Sequence, residues 1–149
     1  MTITTPVFAE DNHRYTLDGR RQYSVTQILE GLRLTPPYPG DRGQKAFGTA
    51  AHKACDLAVW DKLDFSQTSP VLMPYVEGFM EKAEELKIRP IKSEIIVWHE
   101  PESYAGRLDL WAEILDGEQA IFDFKTGAPP PCVELQTAGY ALALEWCGI

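Results

Sequence analysis

The stretch "GRLDLWAEILDGEQAIFDFKTG", residues 106–127, places Asp109, Asp123 and Lys125 among apolar side chains. It reads as a hairpin of two core strands, and successive strand residues point to opposite faces. Leu108, Leu110, Ala112 and Ile114 share the even face of the first strand, and Ala120, Phe122 and Phe124 that of the second. Arg107, Asp109, Trp111 and Glu113 line the odd face with Ile121, Asp123 and Lys125. A three-residue turn, Asp116-Gly117-Glu118, keeps this parity, pairing Leu115 with Gln119 and Asp109 with Lys125. Asp123 is then diagonal to Asp109, within about 7 Å between Cβ atoms. Two close carboxylates repel and need a positive group, either Lys125 or a bound cation. Mg²⁺ suits such a patch, because it takes oxygen ligands and is often held by one or two carboxylates plus substrate phosphate. The alternative is an ion pair across a surface hairpin, worth about 0–1 kcal/mol.

Other elements must position this patch. "HRYTLDGRRQYSV" alternates around Asp18-Gly19 and predicts an N-terminal β-hairpin. "SVTQILEGL" predicts a helix capped by Ser24 and stopped by Gly31. "TPPYPGDRG" reads as a loop. Residues 44–63 predict a long helix with Phe47, Ala50, Ala51, Ala54 and Ala58 inward, and residues 70–87 a second with Val76, Phe79, Ala83 and Leu86 inward. Glu77, Glu81, Glu84 and Glu85 then form a solvated face. "SEIIVWHE" predicts a central strand, the prolines at 129–131 a break, and residues 132–146 a last helix. This order predicts one α/β or α+β domain, a sheet with flanking helices.

The chain has 149 residues, 44% of them hydrophobic, enough for one domain with a core. No apolar run reaches the roughly 18 residues of a membrane span. The opening residues lack the basic start and apolar run of a secretory signal. Cys55, Cys132 and Cys147 are unpatterned and read as reduced thiols in a cytoplasmic protein. The net charge of −8 argues against a polyanionic partner, but it is uneven. Residues 1–53 carry seven basic side chains against five acidic, and residues 54–149 seven against seventeen. A site built for divalent cations also carries surplus carboxylates.

"FGTAAH", "SEIIVW", "GRLDL", "DFKTG" and "ELQTAGY", in that order over residues 43 to 142, resemble the PD-(D/E)XK nuclease superfamily. The nearest branch is the RecB-like and phage exonuclease group, related to the CRISPR-associated exonucleases but without their iron–sulfur cluster. The resemblance implies a restriction-endonuclease-like core at 43–146, a central mixed sheet flanked by helices, following a hairpin and helix at 1–34. It implies His52, Asp109, Asp123 and the Phe124 carbonyl as ligands of Mg²⁺ or Mn²⁺. Lys125 is the implied catalytic lysine, with Glu94 a further catalytic acid. Gln136 and Tyr140, four apart on one helical face, match a Gln-x-x-x-Tyr pair that reaches the site or the DNA.

Arg42, Lys45 and Lys53, with Arg20 and Arg21, are candidate phosphate contacts that position a strand without reading its sequence. Gly48 and Gly106 read as points of close backbone approach. His13 and His99 read as structural or surface residues, and the four tryptophans as core or interface. The implied activity is hydrolysis of phosphodiester bonds at DNA ends, in phage or bacterial DNA processing. A silent binding module for DNA or protein is the alternative, and a structure- or site-specific endonuclease a third reading. Relatives add a strand after the Gln-x-x-x-Tyr helix, whereas this chain stops at "EWCGI". The resemblance therefore leads one to expect a compact protein, a sheet completed by a second copy or a partner, or a truncated chain.

Overall fold

The computed structural model describes residues 5–10, 12–35 and 42–149. In chain order the elements are β1 (Val7–Ala9), β2 (Arg14–Leu17), β3 (Arg20–Ser24), α1 (Val25–Gly31), α2 (Arg42–Val59), α3 (Met73–Glu85), β4 (Arg89–His99), β5 (Tyr104–Glu113), β6 (Gln119–Phe122) and α4 (Val133–Trp146). The six strands form one mixed sheet in the order β1-β2-β3-β5-β4, with β6 also paired to β5. The fold is thus α/β. Most of the loop read at 35–43 lies outside the described residues.

Contacts divide the chain into two compact units. The first comprises residues 1–37, 94–108 and 130–149, and the second residues 38–93 and 109–129.

In the first unit, Asp18 and Gly19 take φ 47° and 76° between the paired residues Leu17 and Arg20. Two positive φ values in a two-residue loop match the twist of the flanking strands. β1 extends this hairpin to three strands, an addition that its short run did not announce. Ser24 caps α1 in a full capping box: its hydroxyl accepts from Gln27 N, and Gln27 Oε1 accepts from Ser24 N. The alternating face of β2 buries Tyr15 and Leu17. Tyr140, Ala143 and Leu144 of α4 are buried as well, and Gly139 brings α4 close to Val25 of α1.

Gly31 does not stop α1. It is the last helical residue, and Arg33 takes the left-handed position at φ 58°. Leu34 N donates to Leu29 O and Arg33 N to Glu30 O, the paired bonds of a Schellman motif. The same motif closes two helices of the second unit. Asp61 (φ 54°) follows α2, with Lys62 N on Leu57 O and Asp61 N on Ala58 O. Lys87 (φ 51°) follows α3, with Ile88 N on Ala83 O and Lys87 N on Glu84 O. Three helices therefore end on residues with a Cβ where glycine is the usual choice.

In the second unit, Ala54, Cys55 and Ala58 of α2 pack against Val76 of α3, with Leu63, Leu72, Phe79, Met80 and Phe124 around them. The small side chains let the helices approach, as the spacing of Ala51, Ala54 and Ala58 predicts, but Ala50, expected inward with them, is exposed. Glu77, Glu81, Glu84 and Glu85 are exposed, as expected.

Two strand expectations need correction. β4 is the last strand in the sheet order, not a central one. Its apolar run reflects cover from α4: Val97 and Trp98 are both buried, and the Cys147 thiol lies 3.4 Å from both N and O of Trp98. The β5–β6 register also differs. Leu110 pairs with Phe122 and Glu113 with Gln119, so the turn is Leu115-Asp116-Gly117, one residue earlier than read. Asp116 and Gly117 both take positive φ, at 66° and 79°. Centring the turn on Asp116 shifts the pairing by two residues. A two-residue shift preserves faces, and Leu108, Leu110 and Ala112 are buried while Arg107, Asp109, Trp111 and Glu113 are not.

Candidate active site

The candidate chemistry of the second unit gathers where β6 ends. The ladder stops at Leu110–Phe122, and the next residues on the two strands are Asp109 and Asp123. Asp109 therefore does not face Lys125, and residues 123–125 lie beyond the strand. Past the ladder the Phe124 N–H has no strand to donate to. It donates instead to Asp109 Oδ2 at 2.6 Å. A hydrogen bond to a carboxylate is among the stronger kind, about 1.5–3 kcal/mol. This bond ties the Asp123-Phe124-Lys125 segment to the first aspartate.

Lys125 Nζ pairs with Asp123 Oδ2. His52, on α2, has Nδ1 3.7 Å from Asp109 Oδ2. Its ring meets Phe124 edge-on at 5.8 Å, and Phe124 meets Phe79 of α3 at 4.8 Å. The Phe124 ring is thus an apolar anchor beneath two charged neighbours. The side chains of Asp109 and Asp123 are only 13% and 7% exposed, those of His52 and Lys125 32% and 30%. Access from solvent is through the basic groups, with the carboxylates behind them.

Cys55, expected only as an unpatterned reduced thiol, lies one turn beyond His52. Its thiol is pushed up to about 11, chiefly by burial and also by the charge of Asp109. The i, i+3 spacing from His52 was the available signal. Such a thiol is inert and structural.

The other expected residues fall as follows. Lys53 is exposed and pairs with Asp56 at 3.2 Å. Arg42 and Lys45 are exposed in the first described turns of α2. Gly48 has room to spare: an added Cβ would meet Thr126 Oγ1 at an ordinary 3.6 Å, so close approach does not require glycine there. In the first unit, Glu94 Oε2 lies 3.1 Å from Arg107 Nε, and Glu94 takes φ 52° within β4. Gln136 Nε2 donates to the Tyr140 hydroxyl at 3.1 Å, both residues buried. An added Cβ at Gly106 would press on the Tyr140 ring, so this glycine does serve close approach. His99 stacks on Tyr104 at 5.4 Å, a structural role as expected. Trp98 is buried, whereas Trp146 is 49% exposed.

A cavity of about 960 Å³ in the second unit is lined by Met80, Ala83, Ile88, Ile114 and Leu115 among others, and by none of the expected site residues. Among the described residues no group of three His, Cys, Asp or Glu side chains forms a metal-binding cluster. A closed structural site, which needs four protein ligands, does not fit these residues. Two carboxylates on adjoining segments, with an imidazole beside one of them, are the donor types that Mg²⁺ or Mn²⁺ accepts. Such an ion keeps several waters and takes one or two carboxylates plus substrate phosphate. Comparison of the chain with family models, curated proteins and solved structures finds no match. No helix among the described residues is long and apolar enough to cross a membrane.

Proposed function

We propose that the chain is a divalent-metal-dependent DNA exonuclease of the restriction-endonuclease-like fold. The observation that carries the reading is the Phe124 N–H bond to Asp109, which sets Asp109 beside the segment holding Asp123 and Lys125. Asp109 and Asp123, with the Phe124 carbonyl, would hold Mg²⁺ or Mn²⁺. Such an ion supplies a bound water of lowered pKa and polarises the scissile phosphate. His52 orients the Asp109 carboxylate. Lys125 is held by Asp123 and is about one-third exposed, so its ammonium can turn to an attacking water and to the charge developing on phosphorus. Arg42 and Lys45 favour an anionic strand near the start of α2, where the helix dipole has the same sign.

A binding module that does not cut is the second reading. It is favoured by the engagement of Lys125 with Asp123 and by the net charge of −8. Turnover separates the two. The purified chain with Mg²⁺ or Mn²⁺ should degrade linear DNA, spare circular DNA and lose activity in EDTA. Lys125→Ala and Asp123→Ala should each lower the rate by roughly 10²–10³-fold. Inactivity with both metals, or activity surviving both substitutions, would refute the nuclease reading. Equal loss of circular DNA would make it an endonuclease.

A further inference from the structure

The antiparallel ribbon of β1, β2 and β3 has one buried and one open face. Tyr15, Leu17 and Gln22 are buried on the first. The registers place Val7, Thr16 and Arg21 in one cross-strand row of the open face, and Ala9 and Arg14 in the next. Continuing the β2–β3 ladder one step beyond Tyr15–Gln22 brings Tyr23 opposite Arg14. Tyr23 is 53% exposed, and the Arg21 guanidinium lies 5.1 Å from its ring centroid. Among the described residues, the cross-strand rows of this face carry a flat aromatic ring, two guanidinium groups and no carboxylate, in a chain whose net charge is −8. A large aromatic ring half open to water on a sheet is poorly used by folding, which gains most from the opposite, buried face.

We propose that this face is a platform for single-stranded DNA. A base stacks on Tyr23, extending the arginine–tyrosine stack, and Arg14 and Arg21 contact flanking phosphates. Every base has a π-face, so such stacking is tolerant of sequence. A duplex keeps its internal bases stacked on one another and can offer Tyr23 only a terminal pair. Charge complementarity and the exposed ring both select an unpaired strand. The choice of nucleic acid as occupant rests on the nuclease reading, and the platform gives that reading its substrate class.

The test is fluorescence anisotropy of a labelled oligothymidine strand with the full chain in EDTA, so that hydrolysis does not intervene. Wild-type protein should bind it more tightly than a duplex of equal length. Tyr23→Ala should weaken binding by on the order of tenfold or more, while Tyr23→Trp retains it and neither change moves the thermal midpoint appreciably. Log affinity against log salt should fall with a slope of about −1.4 for two contacts, and Arg21→Ala should flatten it by about 0.7. No binding by the wild type, tighter binding of duplex, or full binding by Tyr23→Ala would overturn the platform. Degradation of linear DNA measured alongside keeps the readings apart. Turnover with Tyr23-independent binding sinks only the platform, and Tyr23-dependent binding without turnover sinks only the nuclease.

Discussion

Gly106→Ala isolates the steric role of one residue in the resemblance-bearing segment. A methyl group there would sit 3.0 Å from Tyr140 Cδ1 and closer still to Cε1. Real Cβ atoms almost never approach so closely, so the ring must move. It has little room: Tyr140 is 5% exposed, and its hydroxyl accepts from Gln136 Nε2. Overpacking of this kind costs about 1–3 kcal/mol. Replacing glycine also restricts the unfolded chain, which returns about 0.4–1 kcal/mol. The net loss should be about 1–2 kcal/mol. In urea unfolding it would appear as a lower midpoint with an unchanged slope. Tyr140→Leu should cost stability by itself, through lost packing and the lost hydrogen bond, but less in the Gly106→Ala background, because the clash goes with the ring. A neutral or stabilising Gly106→Ala, or strict additivity of the two changes, would refute the steric argument.

Two further outcomes follow from local geometry. Arg33→Gly, Asp61→Gly and Lys87→Gly each relieve a left-handed residue that carries a Cβ, and each should stabilise by roughly 0.5–1 kcal/mol in thermal or urea unfolding. Stability should also fall as pH rises from about 9. Burial raises the Cys55 thiol to about 11, and also raises Cys147, Tyr15 and Tyr104. The folded state keeps these protons while the unfolded chain releases them, so stabilisation is complete below the unfolded value and is lost as pH passes the folded one. Cys55→Ala should flatten the decline between pH 9 and 11, as urea midpoints across that range would show.

Local chemistry was enough for much of the architecture. Asp18-Gly19 dictated its turn because that pair accepts two positive φ values. Ser24 and Gln27 dictated a helix start, because their side chains satisfy each other's backbone N–H groups. Ala51, Ala54 and Ala58 of α2 marked its packed side, while Ala50 is exposed. Alternation along β5 sorted Asp109 from Leu108 and Leu110 whatever the register, since a shift of two residues leaves the faces unchanged. What pattern could not decide was which residues the tertiary structure would press into service. Arginine, aspartate and lysine end three helices in place of glycine, because hydrogen bonds of the closing turn hold them there. β4 looks central in sequence because α4 covers it. Asp109 accepts from the backbone N–H of Phe124, freed when β6 stops short. Such a bond depends on where a ladder ends and on an aromatic anchor supplied by packing across helices, and neither is written in the spacing of charges along the chain.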